Sequence, residues 1–256
     1  MPITFIGSDN SAQNNPTSGT FSFAGISPEP GDFVLCWWYT RSSTKTFTKP
    51  AEVIELYHVS NASYGRLFIG YRIFQVGDST YAWTSSSVTG STTVYGTSVF
   101  RGVNRSDPID ADSGSPTEFL NTNDPDPPAV NVQTIGACVV PIFGKNNDFT
   151  GCVPPTNYMS AGENDSTAGS DASAGAAYRV VSVTGSEDPP AWNLTGGATG
   201  DDGYVWTCAL KPTLGPTPGQ FNKVKYVTEP PSTGWNPLKY ASEPPVSSAW
   251  NKIEYG

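Results

Sequence analysis

The sequence of 256 residues combines a low charged fraction, 14 %, with a net charge of −9, 26 glycines and 23 prolines. An acidic chain is a poor partner for nucleic acid, because phosphate binding depends on Lys and Arg. No apolar run approaches the ~20 residues of a membrane-spanning helix. The many β-branched, aromatic and turn residues, without a helical stripe, predict a nearly all-β fold.

The first strand is expected at TFIG, residues 4–7, followed by a polar loop or extended arm at 8–20. Runs of alternating or continuous apolar residues predict the strands that follow. These are TFSFAGI (20–26), FVLCWWYT (33–40), AEVIELYHVS (51–60), RLFIGYRIFQ (66–75), STYAWTSS (79–86), TTVYGTSVFRGV (92–103), QTIGACVVPIFG (133–144) and AAYRVVSVTG (176–185). The segment AWNLTGG (191–197) leads to the last strand, GYVWTCALKP (203–212).

About eight to ten strands separated by short turns indicate an antiparallel, two-sheet, jelly-roll-like β-sandwich. Two acidic segments, the Pro-rich 104–130 and the small-residue stretch 157–175, are expected to be long surface loops. The predicted organisation is an N-terminal strand or arm at 1–20, a sandwich domain at 21–212 and a Pro/Gly linker at 213–220. An extended C-terminal repeat segment follows at 221–256.

The segment 221–256 repeats one hexamer three times, with Glu-Pro-Pro spacers between the copies. Each copy begins with an aromatic residue and ends with tyrosine; the six positions are Phe221, Tyr226, Trp235, Tyr240, Trp250 and Tyr255. Pro lacks an N–H and cannot continue a sheet ladder, so such a string cannot bury its aromatic side chains alone. Disordered tails are depleted in aromatics. The repeat therefore predicts a multivalent interaction segment rather than an inert linker.

Adjacent strand residues face opposite sides of a sheet, so Trp37 and Trp38 cannot share one core. One of them must point away from the sandwich interior. Either a loop or the C-terminal segment covers this indole, or it lies in a subunit interface or a sugar-stacking site.

Catalytic and metal-binding patterns are sparse in the sequence. His58 is the only histidine, and its position in the strand ELYHVS favours a structural residue over a catalytic base. The acidic groups around Asp107–Asp126 and at Asp201 and Asp202 have Ser, Pro and Gly neighbours, which predicts solvated loops. No cofactor is expected, with calcium at Asp110–Asp112 as the alternative.

Two of the four cysteines, Cys36 and Cys208, lie in apolar strands and are expected to act as small hydrophobic residues. Cys138 and Cys152 could face each other across a hairpin. Whether they form a disulfide stays open. The N-terminus lacks the basic and apolar regions of a secretory signal. Synthesis in a cytoplasm, which argues against obligatory disulfides, is therefore expected.

Several segments resemble a β-sandwich family of bacteriophage structural proteins and related secreted bacterial proteins. They are PGDFVLCWWY, RLFIGYRIFQVGDSTYAWTSS, GTSVFRGVNRSDPIDA and VWTCALKP, spread over roughly residues 20–212. The Pro-x-Gly-Trp turn of that family is replaced here by KPAEVIELYH. The C-terminal repeat is also similar to aromatic strings in phage virion and tail proteins.

The resemblance implies a virion structural protein, made in the bacterial host cytoplasm, and the sparse catalytic patterns predict no enzymatic activity. The interpretation favoured within it is a capsid decoration protein, a homotrimer that docks on the major capsid protein or tail components. The alternatives are a tail- or fibre-associated protein and a carbohydrate-binding protein that recognises a host receptor. Neither nucleic acid nor a membrane is an expected partner.

Overall fold

The computed structural model describes residues 2–61, 65–166, 171–196 and 201–213, and these residues form strands and connecting turns. They contain no helix long and apolar enough to span a membrane. The strands in these ranges are β1 Thr4–Asn14, β2 Ser18–Phe21, β3 Phe33–Thr40, β4 Phe47–Thr48, β5 Ile54–Asn61, β6 Gly65–Ile73, β7 Tyr81–Ser85, β8 Thr92–Arg101, β9 Ile109–Asp112, β10 Thr117–Phe119, β11 Val130–Val132, β12 Cys138–Asn146, β13 Gly151–Val153, β14 Met159–Ser166, β15 Ala172–Val180, β16 Gly185–Glu187, β17 Asn193–Thr195 and β18 Gly203–Leu210.

Two large antiparallel sheets form the centre of the fold. One has the strand order β1-β8-β3-β6-β5, and the other has the order β10-β18-β12-β15-β14, with β9 also paired to β18. Alternate residues of both sheets meet in one central core, as expected where side chains alternate between the faces. Its larger members include Phe33, Leu35, Trp37, Leu67, Ile69, Phe100, Ile142 and Trp206. The all-β, sandwich-like class predicted from the sequence is confirmed.

The outer face of each large sheet is covered as well. On the first sheet, the small sheet β2-β7-β4 contributes aromatic side chains to a second core, including Phe21, Phe47, Tyr81 and Trp83. On the second sheet, β11-β16 and β13-β17 contribute Val130, Val132 and Leu194 to a third core, together with Trp192. As a result, every residue of β3, β12 and β18 is buried.

Large indoles fit in this layered structure because glycines lie opposite them. Trp37 pairs in register with Gly96, and a Cβ at Gly96 would lie 2.4 Å from Trp37 Cζ2. Trp83 is paired in the same way with Gly19, whose Cβ would also lie 2.4 Å from the indole. Each ring therefore occupies the space that a side chain on the neighbouring strand would need.

The register between strands is regular inside the large sheets and shifts at most, though not all, of their edge pairings. The edge strands β1, β5 and β14 each carry a shift against their neighbour, and a further shift lies where β9 pairs with β18. The pairs β3–β6, β3–β8 and β12–β18 run without a shift. Such bulges bend the strand and leave a residue unpaired.

Two acidic segments that were expected to be loops contain strands, so this part of the prediction was wrong, and the polar stretch at 8–20 is an extended strand rather than a loop. The expected arm at 8–20 continues β1 to Asn14 and also begins β2. The acidic segment 104–130 contains β9 and β10, and it ends in β11. The segment 157–175 contains β14 and the start of β15. Edge position explains β1 and β14, because an edge strand needs few large apolar residues. In β15, the small side chains of Ala172, Ala174 and Ala176 are buried in the central core.

Strands β5 and β6 form a hairpin whose side chains alternate between two cores. Leu67 and Ile69 face the central core, whereas Phe68 and Phe74 face the second core. Trp83 and Cys208 are buried, while Tyr71 is only half-buried. The compact unit extends to Thr213.

Replacing Trp83 by Ala should lower the free energy of unfolding by about 3–5 kcal/mol, because a large buried side chain is lost. The Trp83 ring lies 4.9 Å from the ring of Tyr95 and 6.2 Å from that of Trp38, centre to centre. Urea unfolding measures the change. Val76→Ala, at a residue that is 87 % exposed, should leave the midpoint unchanged. A Trp83→Ala protein as stable as the wild type would contradict the packing described here.

Candidate functional site

The six predicted aromatic contact residues of the repeat segment, Phe221, Tyr226, Trp235, Tyr240, Trp250 and Tyr255, lie outside the described residues. Their assignment as interface residues therefore stays a prediction.

Trp37 and Trp38 are both fully buried, on opposite faces of β3. Trp37 belongs to the central core. Trp38 points away from it and packs on Phe47, with ring centres 4.6 Å apart, and on Trp83. The element that covers Trp38 is thus the small sheet β2-β7-β4, rather than the loop or C-terminal segment considered above. Neither indole has a free face in this structure.

The same holds for every described tryptophan. The sequence has seven tryptophans, and the five in the described ranges are at most 1 % exposed. These five indoles therefore offer no surface on which a sugar ring could stack.

Cys138 and Cys152 are both free thiols. Cys138 belongs to the central core, whereas Cys152 packs against the third core on the other side of the sheet. Burial raises the pKa of both thiols, so they remain protonated at neutral pH. Buried protonated thiols of this kind are poor nucleophiles.

The carboxylates of the alternative calcium site bind the polypeptide itself. Asp110 Oδ2 accepts hydrogen bonds from the backbone N–H groups of Gln133 and Thr134, at 2.6 and 3.0 Å. Asp112 Oδ1 accepts one from the N–H of Gly114 at 2.7 Å. Within the described ranges, no three His, Cys, Asp or Glu side chains gather to hold a metal ion.

His58 packs edge-on against Phe47 and Phe68, at ring-centre distances of 5.9 and 6.1 Å. Its Nε2 is buried without a hydrogen-bond partner in the described structure. Burial lowers the pKa of His58, and Arg66 lowers it further, while Glu55 opposes this effect. The imidazole is therefore held in its neutral form within an aromatic cluster.

The polar group that stands out is a cluster at one end of the central sandwich, which we call the Lys145 cluster: Lys145, Asn146, Asn147, Asp201 and Tyr39. Lys145 and Asn146 end β12, and Asp201 lies just before β18. The register places Lys145 opposite Gly203, so the chain entering β18 passes beside the lysine. Lys145 Nζ donates a hydrogen bond to Asp201 Oδ2, and both side chains are 0 % exposed.

The second oxygen of Asp201 is occupied as well. Asn147 Nδ2 donates a hydrogen bond to Asp201 Oδ1. Asn147 itself is held firmly: its N–H donates to Asp171 O at 2.9 Å, and its carbonyl oxygen accepts from Ser173 Oγ at 2.8 Å. Its φ of 66° lies in the left-handed region, which Asn tolerates better than most residues. The Asp201 carboxyl therefore accepts a hydrogen bond from the Lys145 amine on one oxygen and from the Asn147 amide on the other.

Tyr39 connects this cluster to the facing sheet. Its hydroxyl donates a hydrogen bond to Asn146 Oδ1 at 2.9 Å. Burial strongly raises the pKa of Tyr39, and the nearby Tyr204 and Asp202 reinforce the effect, so the phenol stays protonated as a donor. Tyr39 and Tyr204 belong to the central core. The cluster is therefore closed on its inner side by aromatic rings.

A second buried lysine, Lys45, provides a contrast. Its side chain is fully buried, and Nζ donates to the carbonyl oxygen of Pro16 at 2.7 Å. Burial lowers the pKa of Lys45. In the described structure its ammonium has no carboxylate partner, whereas Lys145 touches one directly. Among the described residues, only the Lys145 cluster brings an amine and a carboxyl into contact away from water.

Sequence reasoning missed this cluster. Asp201 was expected in a solvated acidic loop because its neighbours are small and polar, but it is buried against Lys145. The available signal was Lys145 itself, a charged residue within the apolar strand CVVPIFGKN. Buried lysines almost always have a partner, although the sequence does not reveal which one.

Two motifs that carry the family resemblance meet in space. Asp32 follows Gly31 at the start of β3, and Arg101 ends β8. Arg101 Nε and Nη2 donate to the two carboxyl oxygens of Asp32 at 3.0 and 2.9 Å. This bidentate pair is structural, since it joins the ends of two neighbouring strands.

No family model, curated protein or solved structure matches the chain.

We expect the stability of the protein to fall as the pH drops through the titration range of His58. Its pKa in the folded state lies below the unfolded value of about 6.5. The unfolded state therefore binds the proton more readily, and stability that is complete above about pH 6.5 is lost as the pH falls towards the folded pKa.

Urea unfolding of wild type and His58→Phe between about pH 7 and pH 5 tests this. The chain has a single histidine, so the substitution removes the only imidazole. The variant should lose less unfolding free energy than the wild type over this range. Equal losses in the two proteins would show that His58 is not held neutral.

Proposed function

We propose that this chain is a structural protein of a bacteriophage particle, and specifically a capsid decoration protein. In this proposal the sandwich sits on the particle surface and the segment 221–256 docks on neighbouring subunits, with the protein arranged as a trimer. The observation that carries the proposal is the aromatic hexamer repeated three times. The repeat begins shortly after the last residues of the sandwich, which are held by backbone hydrogen bonds.

The last described residues of the sandwich, 211–213, are held by backbone hydrogen bonds to the segment that follows β8. Thr213 N–H donates to Gly102 O at 2.7 Å, and Lys211 N–H donates to Pro108 O at 2.8 Å. In return, Asn104 N–H donates to Lys211 O at 2.8 Å. A load applied to the C-terminal segment would therefore be passed to the body of the sandwich, which suits a segment that anchors the domain to a partner.

The layered body supports the same proposal. Both large sheets are covered on their outer faces, so the body has three apolar cores. Tight packing of this kind gives a domain of low compressibility. A rigid sandwich domain with a C-terminal binding segment suits a protein that attaches in many copies to a capsid shell. The described tryptophans offer no stacking surface, so no observation favours the carbohydrate-binding alternative.

Replacing Trp235 and Trp250 together by Ala should weaken attachment to the particle by well over tenfold. Truncation of an aromatic anchor at an interface costs about 2 kcal/mol or more, and every 1.4 kcal/mol is about a factor of ten in affinity. The measurement is co-sedimentation of purified protein with particles that lack it. Thr228→Ala with Ser232→Ala, in the spacer between the first two repeats, is the matched control.

Deleting 221–256 should leave a folded domain that no longer joins the particle. Circular dichroism checks the fold of the truncated protein. Attachment equal to that of the full chain would mean that this segment is not the anchor. Labelling intact particles with an antibody against the sandwich then separates the two virion locations. Label on the head supports a decoration protein, whereas label on the tail alone would overturn that choice.

A further inference from the structure

The Lys145 cluster has the components of a covalent cross-link. Lys145 Nζ contacts Asp201 Oδ2, both side chains are completely buried, and Asn147 Nδ2 donates to the other carboxyl oxygen. We propose that Lys145 and Asp201 condense into an intramolecular isopeptide bond, which joins the end of β12 to the segment that enters β18.

The reaction is balanced without any external reagent. A proton moves from the Lys145 ammonium to the Asp201 carboxylate, which gives a neutral amine and a carboxylic acid. The Nζ lone pair then attacks Cγ, a bond forms between nitrogen and carbon, and the carbon–oxygen bond to the protonated oxygen breaks. One water molecule leaves, formed from that hydroxyl group and one amine proton. The product is a secondary amide.

Burial favours the first step. Two charges removed from water lose their hydration, and their mutual attraction compensates for this loss only in part. Neutralisation by proton transfer within the pair relieves this cost. The same environment protects the product, because hydrolysis of the amide needs a water molecule in a site with no exposed side-chain surface at either residue.

The geometry favours the second step. The pairing of β12 with β18 fixes both reacting groups in one sheet, which replaces a bimolecular encounter by a positioned one. Negative charge develops on the carboxyl oxygen that is not expelled, Asp201 Oδ1. Asn147 Nδ2 already donates to this atom, and such a preorganised donor stabilises the tetrahedral intermediate. Asn147 would therefore act as a catalytic residue of the condensation.

The first test is the intact mass of the denatured full-length protein. The wild type should be lighter than its sequence mass by one water molecule. After trypsin digestion, the peptides that contain Lys145 and Asp201 should be recovered as one branched species, uncleaved at Lys145. Folded wild-type protein at its full sequence mass would overturn the proposal, because the pair would then be purely ionic.

Variants identify the atoms that react. Lys145→Arg keeps the positive charge but removes the nucleophilic amine, so this variant should have its full sequence mass, as should Asp201→Ala. Circular dichroism confirms that the variants are folded. Since the branched tryptic peptide of the wild type decides whether the bond forms, the test does not depend on the folding of either variant.

Asp202→Ala is the matched control. Asp202 precedes Gly203, and an Asp-Gly pair can also lose water by closing a succinimide on its own backbone. The isopeptide proposal requires Asp202→Ala to lack one water, as the wild type does. A mass loss that disappears in Asp202→Ala and persists in Lys145→Arg would assign the dehydration to the succinimide and contradict the cross-link.

Asn147→Ala tests the role of the amide donor. Loss of one such donor slows acyl chemistry by about 10²- to 10³-fold, so newly translated Asn147→Ala protein should lose water far more slowly than the wild type. The readout is the fraction of cross-linked chain against time after translation, measured by mass. Equal rates in folded wild type and variant would exclude Asn147 from the reaction.

Discussion

Burial of both faces of β3 is the constraint on which the rest of the fold depends. This strand carries Trp37 towards one core and Trp38 towards another, so a simple two-sheet sandwich would leave a large indole in water. The small sheet β2-β7-β4 covers that side, and glycines on the neighbouring strands make room for the rings of Trp37 and Trp83. The second large sheet solves the same problem with two short sheets of its own. A layered protein follows from the need to cover both sides of its central strands.

This layering also creates the environment of the Lys145 cluster. A lysine at the end of an ordinary surface strand would extend into solvent, where its contact with a carboxylate has little energetic consequence. Here the strand end is covered by Tyr39 from the facing sheet and by the segment that enters β18. The same packing that stabilises the domain therefore changes the chemistry available to Lys145 and Asp201.

Most of the central strands could be predicted from sequence, because continuous apolar runs such as FVLCWWYT and YVWTCAL are typical of strands buried on both faces. The strands β1, β14 and β15 could be predicted only in part: the polar edge residues 8–14 resemble a loop, and small residues such as Ala174 are buried for reasons of space between sheets. The Lys145 cluster could not be predicted, since Lys145 and Asp201 lie 56 positions apart. Their contact is a property of strand pairing, which the local pattern around Asp201 does not contain.

The irregular edges of the large sheets have a consequence for behaviour at high concentration. An exposed, regular edge strand is a template on which another copy can add a strand, and this leads to open-ended aggregation. In this protein β1, β5 and β14 are each bulged, and the register also shifts where β9 joins β18. A second copy approaching any of these edges meets a ladder that it cannot extend in register. The bulges therefore disfavour polymerisation through β1, β5 or β14 when many copies are crowded together.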